Sequence, residues 1–167
     1  FGNLIKRLRK TPAAKKSAAN PERMKSVTIG ADRLTGAGIA FVEDEPGVRI
    51  ARLAPDSKAL GFPFMQPDKG EIGFTVPPEL AGEWLVAITL RASASIDRQP
   101  DAAYLGIYAP HEICRQPFSV SPGERGWQTV SLGRWDLPKD SRIWVMPGVI
   151  APVGFIDVRS ITLQPAP

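Results

Sequence analysis

The stretch Glu83-Trp84-Leu85-Val86-Ala87-Ile88-Thr89-Leu90-Arg91-Ala92-Ser93 decides the fold class. Successive side chains of a β-strand point to opposite faces, so Trp84, Val86, Ile88 and Leu90 form one apolar face. Leu85, Ala87, Thr89 and Arg91 then face away. Leu80-Ala81-Gly82 supplies the turn before it, and the segment reads as the longest strand of the chain.

Working outward, the same grammar of short apolar runs and turn residues recurs. Ser26–Ile29, Gly38–Val42, Val48–Leu53, Glu71–Val76, Ala103–Tyr108, Gln116–Val120, Trp127–Leu132, Ser141–Met146 and Gly154–Leu163 all read as strands. Glu43-Asp44-Glu45-Pro46-Gly47 is an acidic turn, and Pro55 to Pro67 is a long connection. The 15 glycines and 17 prolines disfavour helices, and no 10–15-residue helical pattern alternates with the strands. The expected fold class is therefore all-β, a sandwich of two antiparallel sheets.

At 167 residues the chain suits one domain, and 43% hydrophobic with 23% charged residues is ordinary globular usage. No apolar run reaches the ~18 residues of a membrane-spanning helix. The single cysteine, Cys114, excludes an internal disulfide, and the single histidine, His111, excludes every two-histidine metal motif.

The net charge of +4 divides unevenly. Residues 1–20 carry Lys6, Arg7, Arg9, Lys10, Lys15 and Lys16 and no acid, leaving residues 21–167 at −2. We therefore expect a basic tail or short helix over 1–20 and a β-sandwich domain over 21–167. The tail reads as a solvated linker, with contact to an anionic membrane as the alternative. A nucleic-acid partner is not indicated, because the body lacks a basic footprint. Phe1 in place of an initiator methionine suggests a processed product or fragment. The compartment stays open between a bacterial cell surface and the cytoplasmic face of a membrane.

Alternation also assigns outward residues. Leu105 with Ile107, Ile143 with Val145, and Ile156 with Val158 read as internal, leaving Tyr104, Tyr108, Arg142, Trp144, Phe155 and Asp157 outside. If the strands share a sheet, its outer face carries Tyr104, Tyr108, Trp144, Arg91, Arg142 and Thr89. Trp127 reads as core packing at a strand start. Trp135, in the loop Gly133–Pro138, is either a contact residue or a ring folded over the end of the sandwich.

The segments Gly126-Trp127-Gln128-Thr129-Val130, Arg142-Ile143-Trp144-Val145 and Gly154-Phe155-Ile156-Asp157-Val158-Arg159-Ser160-Ile161-Thr162-Leu163 are similar to the last three strands of galactose-binding-domain-like β-sandwiches, a jelly-roll group that includes many carbohydrate-binding modules. Leu80–Arg91 resembles their long central strand, and the resemblance spans roughly residues 24–164. It implies a glycan or polysaccharide ligand and attachment to other domains or subunits of a larger assembly. It also implies a structural calcium, but Val158-Arg159 follows Asp157 where the family often has a second acid.

On that resemblance Tyr104, Tyr108 and Trp144 would stack on sugar rings, Arg91 and Arg142 would bond hydroxyls or carboxylates, and Trp135 would add a contact. The competing reading buries the aromatic face against another domain. His111 and Cys114 lack a third group to orient them, and no pair of carboxylates stands out for glycoside hydrolysis. Glu43-Asp44-Glu45 reads as a solvated turn rather than a calcium loop, because contiguous acids cannot all face one ion. The expected role is thus non-catalytic carbohydrate binding, with a structural or protein-docking domain as the alternative.

Overall fold

The structure is a computed structural model that describes residues 25–53, 70–94, 99–110, 112–120, 126–147 and 153–167. The basic tail, the Pro55–Pro67 connection and His111 lie outside the described residues. Among the described residues ten strands follow in order: β1 (Val27–Gly30), β2 (Ile39–Glu45), β3 (Val48–Leu53), β4 (Ile72–Thr75), β5 (Gly82–Ala94), β6 (Gln99–Ala109), β7 (Glu112–Val120), β8 (Gln128–Leu137), β9 (Arg142–Pro147) and β10 (Val153–Pro165). Single 3-10 turns stand at Ala31–Arg33 and Pro78–Leu80.

The strands form two antiparallel sheets. One runs β2-β3-β10-β5-β8 with β1 also on β10, and the other runs β4-β9-β6-β7. Every sheet neighbour pair except β2-β3 and β6-β7 is distant in sequence order, as expected of a jelly roll. Gly47, at φ +77°, closes the tight β2–β3 hairpin in the left-handed region that glycine adopts without steric cost.

Trp84, Val86, Ile88 and Leu90 of β5 are buried, and they meet Leu105 and Ile107 of β6 and Ile143 and Val145 of β9 in one core. Ile156, Val158, Ile161 and Leu163 of β10 complete it. A register shift between Val158 and Ser160 keeps the apolar residues of β10 inward on both sides of Arg159. Burying each such side chain contributes about 1.5–3 kcal/mol, so the alternating pattern holds the two sheets together.

Candidate functional site

The outer face of the four-stranded sheet gathers four of the six candidate residues. Register places Tyr104 opposite Met146, Gly106 opposite Trp144, and Tyr108 opposite Arg142. Trp144 thus faces a residue with no side chain, and its indole lies across the gap. A Cβ on Gly106 would stand 2.2 Å from Trp144 Cζ2 and 2.4 Å from the Cys114 carbonyl oxygen. The Tyr108 ring stacks on the indole, with centroids 5.2 Å apart and planes 23° from parallel.

Exposure separates these rings. Trp144 is 1% exposed and clusters with buried Tyr104 and Met146, whereas Tyr108 is 36% exposed. Trp144 is a floor and Tyr108 is the ring that solvent reaches. The Arg115 guanidinium lies 4.2 Å over the Tyr104 ring. Arg115 drew no attention in the sequence because its role depends on β7 pairing with β6 in one register.

Arg142 shares the face but spends its donors on the protein. Its Nε donates to Glu71 Oε1, Nη1 to Thr75 Oγ1 at 3.0 Å and Thr35 Oγ1 at 3.3 Å, and Nη2 to the Thr35 carbonyl at 3.0 Å. Because Glu71 is buried, this guanidinium neutralises a carboxylate that water cannot solvate. Arg142 ties β9 to the segment before β4.

Arg91 corrects the sequence reading, since β5 belongs to the other sheet and Arg91 cannot share a face with Trp144. It lies on the outside of the six-stranded sheet, beside Asp157. Arg52 Nε and Nη2 grip Asp157 Oδ1 and Oδ2 at 2.8 and 3.0 Å, and Arg91 Nε adds a bond to Oδ2 at 2.9 Å. Arg91 also reaches Asp44 Oδ1 at 2.6 Å.

Hydrogen bonding to Asp157 holds the Arg52 guanidinium above its ordinary pKa. At Arg91 burial pulls downward, but the bonds to Asp44 and Asp157 outweigh it and the net shift is upward. Trp127 is a second correction. It is absent from the core, and its ring lies 4.3 Å beneath the Arg91 guanidinium. Arg52 stacks likewise on Phe155 at 4.2 Å.

The calcium that the resemblance implies does not suit Asp157. Both its oxygens already accept guanidinium donors, and two cations stand where a metal would approach. Among the described residues no group of three histidines, cysteines or carboxylates comes together. The acidic turn is used otherwise, with Asp44 on Arg91 and Glu43 Oε1 accepting from the Gly47 amide.

Trp135 is not in a loop, because β8 continues to Leu137. It pairs across β5 with buried Trp84 and packs against the core, and its Nε1 donates to the Leu132 carbonyl at 2.8 Å. Cys114 stands opposite Ile107 and packs against the core, so its thiol belongs to the inner side of β7.

Several solved structures share this fold. A family 35 carbohydrate-binding module from Clostridium thermocellum superposes with a TM-score of 0.54 at 12% identity, covering 85% of this chain and 99% of that one. A family 22 xylan-binding domain from Paenibacillus barcinonensis matches with a TM-score of 0.54 at 7% identity, covering 86% and 97%. A family 6 module of a laminarinase from Zobellia galactanivorans gives 0.51 at 10% identity, covering 84% and 100%.

The chain also matches 18% of a cycloisomaltooligosaccharide glucanotransferase from Paenibacillus sp., with a TM-score of 0.51, 15% identity and 82% of this chain covered. No family model matches the sequence. No curated protein matches it either. The chain thus has the jelly-roll fold of carbohydrate-binding modules. At these identities the likeness defines architecture, and function must be argued from the site.

Proposed function

We propose that this chain is a non-catalytic carbohydrate-binding domain that takes a polysaccharide on the outer face of its four-stranded sheet. The observation that carries the reading is the exposed Tyr108 ring backed by the buried Trp144 indole. A sugar's apolar face stacks on an aromatic plane, and a ring already held by a second ring loses little freedom on binding. Tyr104 and Trp144 support the platform, Arg115 borders it, and Arg142 positions β9 beneath it. Arg91 and Trp135 take no part. The fold supports an accessory role within a larger protein.

The test is a glycan-array and affinity-electrophoresis screen, with xylan as the first probe because one structural neighbour is a xylan-binding domain. The wild-type chain should bind a polysaccharide, and Tyr108→Ala should abolish binding while the chain stays folded, its melting temperature lowered only by the roughly 1–6 °C that loss of the stack implies. Failure of the wild-type chain to bind any glycan would overturn the proposal.

The docking alternative draws on Ile113, which is 69% exposed and lies directly opposite Tyr108. An apolar pair on the sheet rim would suit a neighbouring domain. In that case Ile113→Ser and Tyr108→Ala would weaken assembly with a partner and leave glycan retention unaltered.

A further inference from the structure

The edge of a β-sheet is a row of unpaired amides and carbonyls, and natural proteins guard it against pairing with another chain. Other edges of this sandwich are guarded. β2 ends in Glu43, Asp44 and Glu45, and β7 carries Pro117, which has no amide to offer. β1 and β4 are four residues long, and Gly73 of β4 is already bonded both ways to the Thr35 backbone, at 2.8 and 2.7 Å. β8 is different. It closes one side of the six-stranded sheet, runs ten residues without a proline, and has no strand beyond it among the described residues.

A bulge divides the β8 edge. There the Leu132 carbonyl accepts from Trp135 Nε1 and the Gly133 amide donates to Ser131 Oγ at 3.2 Å, so these groups are satisfied within the strand. Beyond the bulge come Arg134, Trp135, Asp136 and Leu137. Arg134 and Asp136 are alternate residues, so they share the outer face, and both are exposed. Arg134 bonds Glu83 across the strand pair. Asp136 stands directly opposite Glu83, an unfavourable like-charge pairing, and among the described residues no cation bonds it.

We infer that this edge pairs with a second copy of the chain through residues 134–136, joining two six-stranded sheets into one. An antiparallel copy answers the charge pattern. With Trp135 on a two-fold axis, Arg134 of each copy lies opposite Asp136 of the other, and the unpaired acid gains a cation. The register is specified. A slip of two residues sets Arg134 against Arg134 or Asp136 against Asp136, and a slip of one puts inward side chains opposite outward ones. On the inner side the same axis brings the two partly buried Trp135 rings together at the rim of the core. The paired run is short, so the dimer is weak and depends on concentration.

Sedimentation equilibrium of the full chain at roughly 10 μM to 1 mM tests this, with amide chemical shifts read over the same range. The wild-type chain should dimerise, and amides at 134–137 should shift with concentration while those at 43–45 and 113–119 stay put. Arg134→Asp and Asp136→Arg should each weaken association about tenfold or more, because each sets two like-charge pairs across the axis. The double variant Arg134→Asp/Asp136→Arg restores both pairs with the signs exchanged, and should dimerise within about threefold of wild type. Asp136→Arg also gives Glu83 a directly opposed cation, so this variant keeps the fold even where Arg134→Asp does not.

A chain that stays monomeric throughout this range would overturn the inference. So would a dimer that both single variants leave intact, which would put the contact on another surface. A folded double variant that fails to regain association would do the same, because it would show that the charges are not paired across the axis.

Discussion

Adding one methyl group at Gly106 should undermine the aromatic platform from below. The new Cβ would meet the Trp144 indole at 2.2 Å and the Cys114 carbonyl at 2.4 Å. The indole could tilt away, but the carbonyl belongs to the backbone of β7 and cannot rotate clear while β6 and β7 stay paired. Overpacking of this kind costs about 1–3 kcal/mol, and both contacts push it to the upper end. Tilting the indole also disturbs the Tyr108 stack, which contributes about 0.5–1.5 kcal/mol.

Gly106→Ala should therefore lose about 3–4 kcal/mol, a large fraction of the ~5–15 kcal/mol that holds a typical domain folded. For a chain of this length the melting temperature should fall by roughly 6–16 °C. Urea denaturation followed by tryptophan fluorescence and near-ultraviolet circular dichroism measures the loss directly. A double-mutant cycle with Trp144→Ala then separates the two clashes. Trp144→Ala alone should cost about 3–5 kcal/mol, as for other buried aromatic truncations. In that background Gly106→Ala should cost less than in the wild type, because only the carbonyl contact remains. A Gly106→Ala variant within ~0.5 kcal/mol of wild type would refute the reasoning. Equal costs in the two backgrounds would show that the indole is not the obstacle.

Other expectations concern the ion pairs and Trp135. Asp157→Ala leaves Arg52 and Arg91 facing each other without their shared carboxylate, and should cost about 2–4 kcal/mol in urea titration, somewhat below a fully buried pair because both guanidiniums reach solvent. Arg142→Ala strands the Glu71 carboxylate, so stability should fall by about 2–4 kcal/mol and hydrogen exchange should speed up at 72–75. An unaltered exchange rate there would contradict the tie between β9 and β4. By contrast, Arg134→Ala breaks a pair whose side chains are more than half exposed, and should change stability by only ~0–1 kcal/mol. Trp135→Phe removes the bond to the Leu132 carbonyl, which should cost about 1 kcal/mol and leave glycan retention untouched; lost retention would return Trp135 to the binding site.

Much of the architecture was legible in single segments. All ten strands fall where short alternating runs stand between turn residues, and the inward sets on β5, β6 and β9, with Ile156 and Val158 on β10, follow from a period of two. Boundaries were less legible. β8 runs on through Gly133 and Trp135, because register shifts in the β5–β8 pairing let a glycine at φ +85° stay within the strand.

The candidate site was legible only as a list of outward residues. Arg91 and Trp144 read alike in the sequence, each alternating with buried aliphatics on its own strand. Nothing local says that β5 joins one sheet and β9 the other. Likewise, Trp127 looked like a core residue at a strand start, yet Arg91 covers it from the neighbouring strand.

By itself, then, the sequence determined which side chains turn inward, because alternation is a property of one extended backbone and needs no neighbours. It also determined that the chain builds strands rather than helices, through its glycines, prolines and short alternating apolar runs. Only the tertiary structure decided that Tyr108 is exposed and Trp144 buried, since that depends on Gly106 arriving opposite the indole from 38 residues away. The same holds for Asp157, whose partners Arg52 and Arg91 come from two other strands, and for Ile161 and Leu163, which face inward because the register of β10 shifts at Arg159. Pairing between distant segments sets these features, and register is a relation between strands that no single strand encodes.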